Sequence, residues 1–143
     1  MHYYLAKMID IYDPDGVDWM NFAKTDNNKY SFHHILKRED GGKNIPSNGA
    51  ILTIHSHRFL HYLEYVCPDA FEDYQILFRR INDSQAPRTQ EFIDEADMIM
   101  ENILNGGYDF IKEVDFDEMM GCLGGQYYLR RNEAKKLSKS IKV

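Results

Sequence analysis

Alternation and helical spacing divide this chain into short segments. Tyr30 and Phe32 alternate with Ser31 inside the run Lys29 to Ile35, which predicts a strand. A polar, glycine-bearing loop follows over residues 36–47, then a short apolar run from Gly49 to Thr53 suited to a second strand. From Ser56 the pattern reads as a helix as far as Val66, where Pro68 stops it. Strand, loop, strand and helix make a compact ββα unit within residues 29–66. Downstream, Asp69 with Glu72 three residues later resembles a capping box, and Phe71, Tyr74, Phe78 and Ile81 share one helical face. Pro87 and Thr89 open another helix, with Phe92, Ala96, Met100 and Ile103 inward and Gly106-Gly107 past its end. Tyr108 to Leu123 reads as one more.

The segment before the ββα unit is less regular. Tyr3, Tyr4, Leu5, Met8, Ile9 and Ile11 fit a strand or a first helix, and periodicity does not separate the two. Asp13-Pro14-Asp15-Gly16 is a turn, with Asp15 placed to cap a short helix through Trp19, Met20 and Phe22. The expected fold class is α+β in a single domain over residues 1–143. Its parts are the 29–66 core, an acidic helical extension over 67–123 and a basic C-terminal tail over 124–143. In that tail Ala134, Leu137 and Ile141 keep helical spacing.

Composition narrows the setting. A chain of 143 residues with 43% hydrophobic and 13% aromatic content buries a core without disulfides. It carries no apolar run of membrane-spanning length and no signal-peptide pattern. Cys67 and Cys122 stand alone with no CxxC, so a reducing cytoplasm is the expected location. The net charge of −6 is unevenly spread. Residues 68–120 hold four basic and fourteen acidic side chains, whereas residues 121–143 hold six basic and one acidic. Phosphate binding needs local rather than total positive charge, which the tail supplies and the middle of the chain does not.

Candidate chemistry concentrates between Phe32 and Glu64, which contain five of the six histidines. His57 and His61 lie one helical turn apart, so their rings share a face and can share a metal ion. A third imidazole from the end of the first strand, His33, would make three protein ligands and leave a position for water or a phosphate oxygen. Three imidazoles suit zinc or nickel better than magnesium. His34 is then free to act as a general base on water attacking phosphorus, and Asn48 can orient it directly or by tying the loop together. Asp40-Gly41-Gly42 folds the chain back between these groups. Lys37, Arg38 and Lys43 on the loop, Arg58 beside His57, and Arg130 and Arg131 in the tail are candidates for phosphate contacts. The same charges also serve an exposed surface. His55 is expected at the surface and His2 in a disordered end.

In the order His33-His34, Gly41-Gly42, Asn48 and His57, this stretch resembles the HNH endonuclease family, the ββα-metal nucleases. With His61 added it looks most like DNase toxins of the colicin type, whose ion is held by three histidines. The resemblance covers about a quarter of the chain. It implies a ββα-metal core, with His33, His57 and His61 as ligands of a divalent ion (zinc, nickel, manganese or magnesium), His34 as general base and Asn48 as a positioning residue. Unlike many members, the chain has no proline shortly after His34 and no CxxC pairs, and Gly49 follows the asparagine.

The expectation is metal-dependent hydrolysis of DNA phosphodiester bonds, by nicking with little sequence preference. A phage or prophage origin is implied by the resemblance only. Two other classes compete. One is a binding module that keeps the fold without turnover. The other is an interaction protein whose acidic helix face over residues 91–101 engages a basic protein partner or imitates DNA.

Overall fold

The computed structural model describes residues 2–123, so the basic tail, with Arg130 and Arg131, lies outside the described residues. The described part is α+β, with five helices and one two-stranded antiparallel sheet. Strands β1 (Tyr30–His34) and β2 (Gly49–Thr53) pair in a register that sets His33 against Ala50 and His34 against Gly49. Helix α2 (Ile54–Val66) follows β2 directly, so the expected strand, loop, strand and helix order is present. Around it stand α1 (Tyr3–Tyr12), α3 (Pro68–Ser84), α4 (Gln90–Leu104) and α5 (Phe116–Leu123).

Strand β2 is buried at every position because α1, α2 and α3 all pack on it. That is why it reads as an unbroken apolar run rather than an alternating one. The first segment resolves as a helix. Leu5, Met8 and Tyr12 are its buried face, spaced three and four apart. His2 is not a loose end: its Nδ1 accepts from the Leu5 amide at 3.3 Å, and its ring stacks on Phe32 with centroids 4.9 Å apart. Helix α4 begins as expected, with Thr89 Oγ1 accepting from the Phe92 amide.

Two expected helices differ. No helix forms through Trp19, Met20 and Phe22. There the Asp18 carboxylate accepts from the Met20 and Phe22 amides at 2.8 and 2.9 Å, drawing the backbone into a side-chain turn. Asp15 and Asn21 take left-handed backbone angles, φ 54° and 65°, which a helix does not tolerate. The last helix starts only at Phe116, because Asp115 Oδ1 accepts from the Glu118 amide and fixes the N-terminus there. Residues 108–115 run instead along the surface, held by Ile111 N–H donating to the Val66 carbonyl and Asp115 N–H donating to the Tyr62 hydroxyl.

Asp18 is fully buried and joins three parts of the fold. Beyond its two local bonds, its second oxygen accepts from the Thr53 amide and hydroxyl at 2.9 Å each and from the Ser56 hydroxyl at 2.5 Å. Thr53 and Ser56 are the reciprocal cap of α2. Burial pushes the Asp18 carboxyl up from the usual carboxylate range, and the hydrogen bonds from Ser56, Phe22, Thr53 and Met20 pull it back down. The same loop covers the outer edge of β2, where Trp19 N–H donates to the Ile51 carbonyl and Asn82 donates to that of Gly49.

Asp18→Ala leaves the buried Met20 and Phe22 amides without an acceptor and strips the Thr53 amide, the Thr53 hydroxyl and the Ser56 hydroxyl of one of their two acceptors. We expect a loss of about 3–5 kcal/mol in chemical denaturation, with Asp18→Asn losing less. A loss under ~1 kcal/mol would show that the network does not organise the fold.

Candidate functional site

The end of β1, the loop behind it, one face of α2 and one face of α3 enclose a cleft of about 400 Å³. His33, His34, His57 and His61 all line it, together with Lys37, Arg38, Glu64 and Gln75. Neighbouring strand residues ordinarily face opposite sides. His33 and His34 follow that rule although both line the cleft: the His33 ring lies against those of His57 and His61, and the His34 ring lies on the Phe32 side of the strand. His33 is 4% exposed beneath α3, and His34 sits half-buried with its ring edge-on to Phe32.

Asn48 acts on the loop rather than on an imidazole. Its Oδ1 accepts from the Leu36 amide at 2.8 Å, and its Nδ2 donates to the carbonyls of Leu36 and Lys43 at 2.9 and 3.0 Å. It thereby closes the loop over residues 36–47 from within, the second of the two ways foreseen for it. Gly42 is needed in the same loop, since a Cβ there would lie 1.8 Å from the Leu36 carbonyl oxygen. Gly41 takes φ 93° at its tip.

The ring centroids of His33 and His57 are 5.2 Å apart, those of His57 and His61 4.8 Å, and those of His33 and His61 6.3 Å. A nitrogen ~2.0–2.1 Å from an ion puts two rings on a tetrahedral centre about 5 Å apart. The rings are therefore close to the spacing that a shared ion requires. Their nitrogens do not converge: among the described residues no group of three His, Cys, Asp or Glu is arranged to hold a metal. His33 Nε2 lies 2.7 Å from Gln75 Oε1, and His57 Nδ1 lies 2.8 Å from Ser31 Oγ. His61 Nδ1 is 3.7 Å from Glu64, and its side chain is 55% exposed, so it turns at little cost to the core.

The donors nonetheless have the right chemistry. Burial pushes His33 down to about 3, with the Gln75 hydrogen bond opposing it, and pushes His57 down to about 4. Both are neutral near pH 7, the form that ligates metals. His57 keeps Nε2 free of Ser31. His34 is lowered by burial and by the Arg38 charge, and its buried Nε2 has no hydrogen-bond partner among the described residues. These residues fit a divalent ion in donor type and ring spacing.

The cationic candidates separate. Lys37 and Arg38 line the cleft, and Lys37 pairs with Glu64 at 2.5 Å. Lys43 and Arg58 are exposed and do not line it. His55 stands apart from the cleft, half-buried beside Arg58, with its Nδ1 buried and unbonded. On α4, Glu91, Asp94 and Glu101 face solvent, Glu95 pairs with Arg80, and Asp97 accepts from Asn21. No helix among the described residues is long and apolar enough to cross a membrane. Gln75, Ser31 and Asp18 went unread in the sequence, since none sits at a motif spacing and each meets its partner only through the fold.

No family model, curated protein or solved structure matches the chain. The likeness to HNH nucleases therefore rests on the histidine and asparagine pattern.

Two outcomes follow for the metal-free protein. Unfolding exposes His33 and His57 to water, where each protonates near 6.5. Their contribution is complete above about pH 6.5 and is lost as pH falls toward 4 and 3, at ~1.4 kcal/mol per pH unit for a fully buried ring and less for half-buried His57. In an NMR titration the ring signals of both should stay flat from pH 8 to 5; a midpoint near 6.5 for either would contradict the burial argument. Asn48→Ala should cost about 2–3 kcal/mol and raise amide exchange in residues 36–47. Unchanged exchange there would show that the loop holds without it.

Proposed function

We propose that the chain is a metal-dependent endonuclease that hydrolyses DNA phosphodiester bonds, nicking with little sequence preference, and that His33, His57 and His61 hold its divalent ion. The observation that supports this reading is one cleft lined by three clustered imidazoles and bordered by His34, whose Nε2 is unbonded among the described residues. A bound zinc or nickel ion would supply a Lewis acid for the scissile phosphate and its departing oxygen.

The chain's own groups account for the rest. His34 is neutral near pH 7 and takes the proton from a water that attacks phosphorus. Phe32 packs edge-on against its ring and limits its rotation. Asn48 holds the loop that carries Arg38, which stands at the cleft to meet a phosphate oxygen. Lys37, already paired with Glu64, contributes less free charge.

A second reading has an observation in its favour. The nitrogens of the three ligand candidates do not converge, and one is bonded to Gln75. That suits a module that binds nucleic acid or protein at the same cleft without turnover.

Plasmid nicking in the presence of Zn, Ni, Mn or Mg, with the native protein beside His34→Ala, tests both. The nuclease reading expects nicking to fall about 10²–10⁴-fold in the variant while metal binding is kept. Equal background from both proteins in every metal would end it. Metal retention without cleavage by the native protein would favour the binding module.

A further inference from the structure

The side chain of Gln75 ties α3 to the end of β1 through two contacts, to His33 and to Ile35. Its Nε2 is 2.7 Å from the Ile35 carbonyl oxygen, and its Oε1 is 2.7 Å from His33 Nε2. A carboxamide has one acceptor end and one donor end. Turned over, it would set its oxygen against the Ile35 carbonyl, two acceptors with no proton between them. The amide is therefore fixed as found, with its oxygen facing the imidazole. An oxygen there needs a proton on Nε2.

His33 is buried and has no charged partner among the described residues. A neutral ring holds one proton, so with Nε2 protonated the lone pair is on Nδ1. Ser31 differs in kind. Its hydroxyl both donates and accepts, so its contact with His57 Nδ1 selects neither tautomer.

We propose that Gln75, from α3, is a positioning residue that sets the tautomer of His33, so that His33 meets a metal ion through Nδ1 while Nε2–H stays on the amide. The inference rests on the metal-site reading above but makes a claim about the metal-free protein as well. It puts part of the site's control outside the motif stretch, 42 residues along the chain. Ile35 is anchored in turn, since its amide donates to the Asn48 carbonyl, so the loop, the strand end and α3 hold the ring together.

The test uses ¹⁵N-labelled protein and long-range ¹H–¹⁵N spectra of the imidazoles. Without metal, His33 should show a single tautomer protonated at Nε2. On adding zinc alone, Nδ1 should shift while Nε2 keeps its proton. A metal-free ring protonated at Nδ1, or loss of the Nε2 proton on zinc binding, would overturn the inference.

Zinc affinity by calorimetry adds a second readout. Gln75→Leu, confirmed as folded by its melting curve, should bind zinc 10–100-fold more weakly. Equal affinity in native protein and Gln75→Leu would show a packing role only and defeat the proposal. Failure of the native protein to bind any metal would remove the nuclease reading and the ligand half of this one. The tautomer measurement would still decide the other half.

Discussion

Asp18 is a carboxylate with no exposure to solvent, and it stays buried because every face of it is met by a donor. Its bonds reach the irregular segment after α1, the end of β2 and the first turn of α2. Removing it would leave two buried amides unsatisfied at once, which costs more than losing the same bonds singly at a surface. The start of α2 sets the height at which His57 and His61 leave the helix. The histidine cleft therefore inherits its geometry from a residue that does not touch it.

The cleft depends on a second constraint at the opposite end of β2. Asn48 ties the Leu36 and Lys43 backbone together, and the Asn48 carbonyl receives the Ile35 amide, so β1 ends at a defined point. His33 and His34 are the last two residues of that strand, the first with its ring against His57 and His61 and the second with its ring against Phe32. Burial under α3 keeps His33 neutral, and Gln75 decides which of its nitrogens holds the proton. Polar groups placed this way act through orientation rather than through added stability.

A neutral imidazole cluster beside an unbonded histidine nitrogen is costly to maintain in a core, since each ring loses hydration on burial. His33 and His57 recover part of that cost through Gln75 and Ser31. His34 Nε2 has no such partner among the described residues. Buried polar atoms left in that state concentrate where chemistry or ligand binding uses them.

Much of this was readable along the chain. The β1, β2, α2 order follows from alternation, the Asp40-Gly41-Gly42 turn and the Pro68 stop, all local signals with local causes. So does the one-turn spacing of His57 and His61, and the buried faces of α3 and α4. Tertiary structure decided the rest. Whether residues 3–12 form a helix depended on a face to pack against. Trp19, Met20 and Phe22 escaped the helical pattern because a buried carboxylate 35 or more positions from its strand and helix partners captured the backbone amides. Gln75 reached His33 from a separate helix, through a hydrogen bond that no spacing rule encodes. Periodicity is a property of neighbours in sequence, whereas the protonation and pairing of a buried polar group depend on neighbours in space.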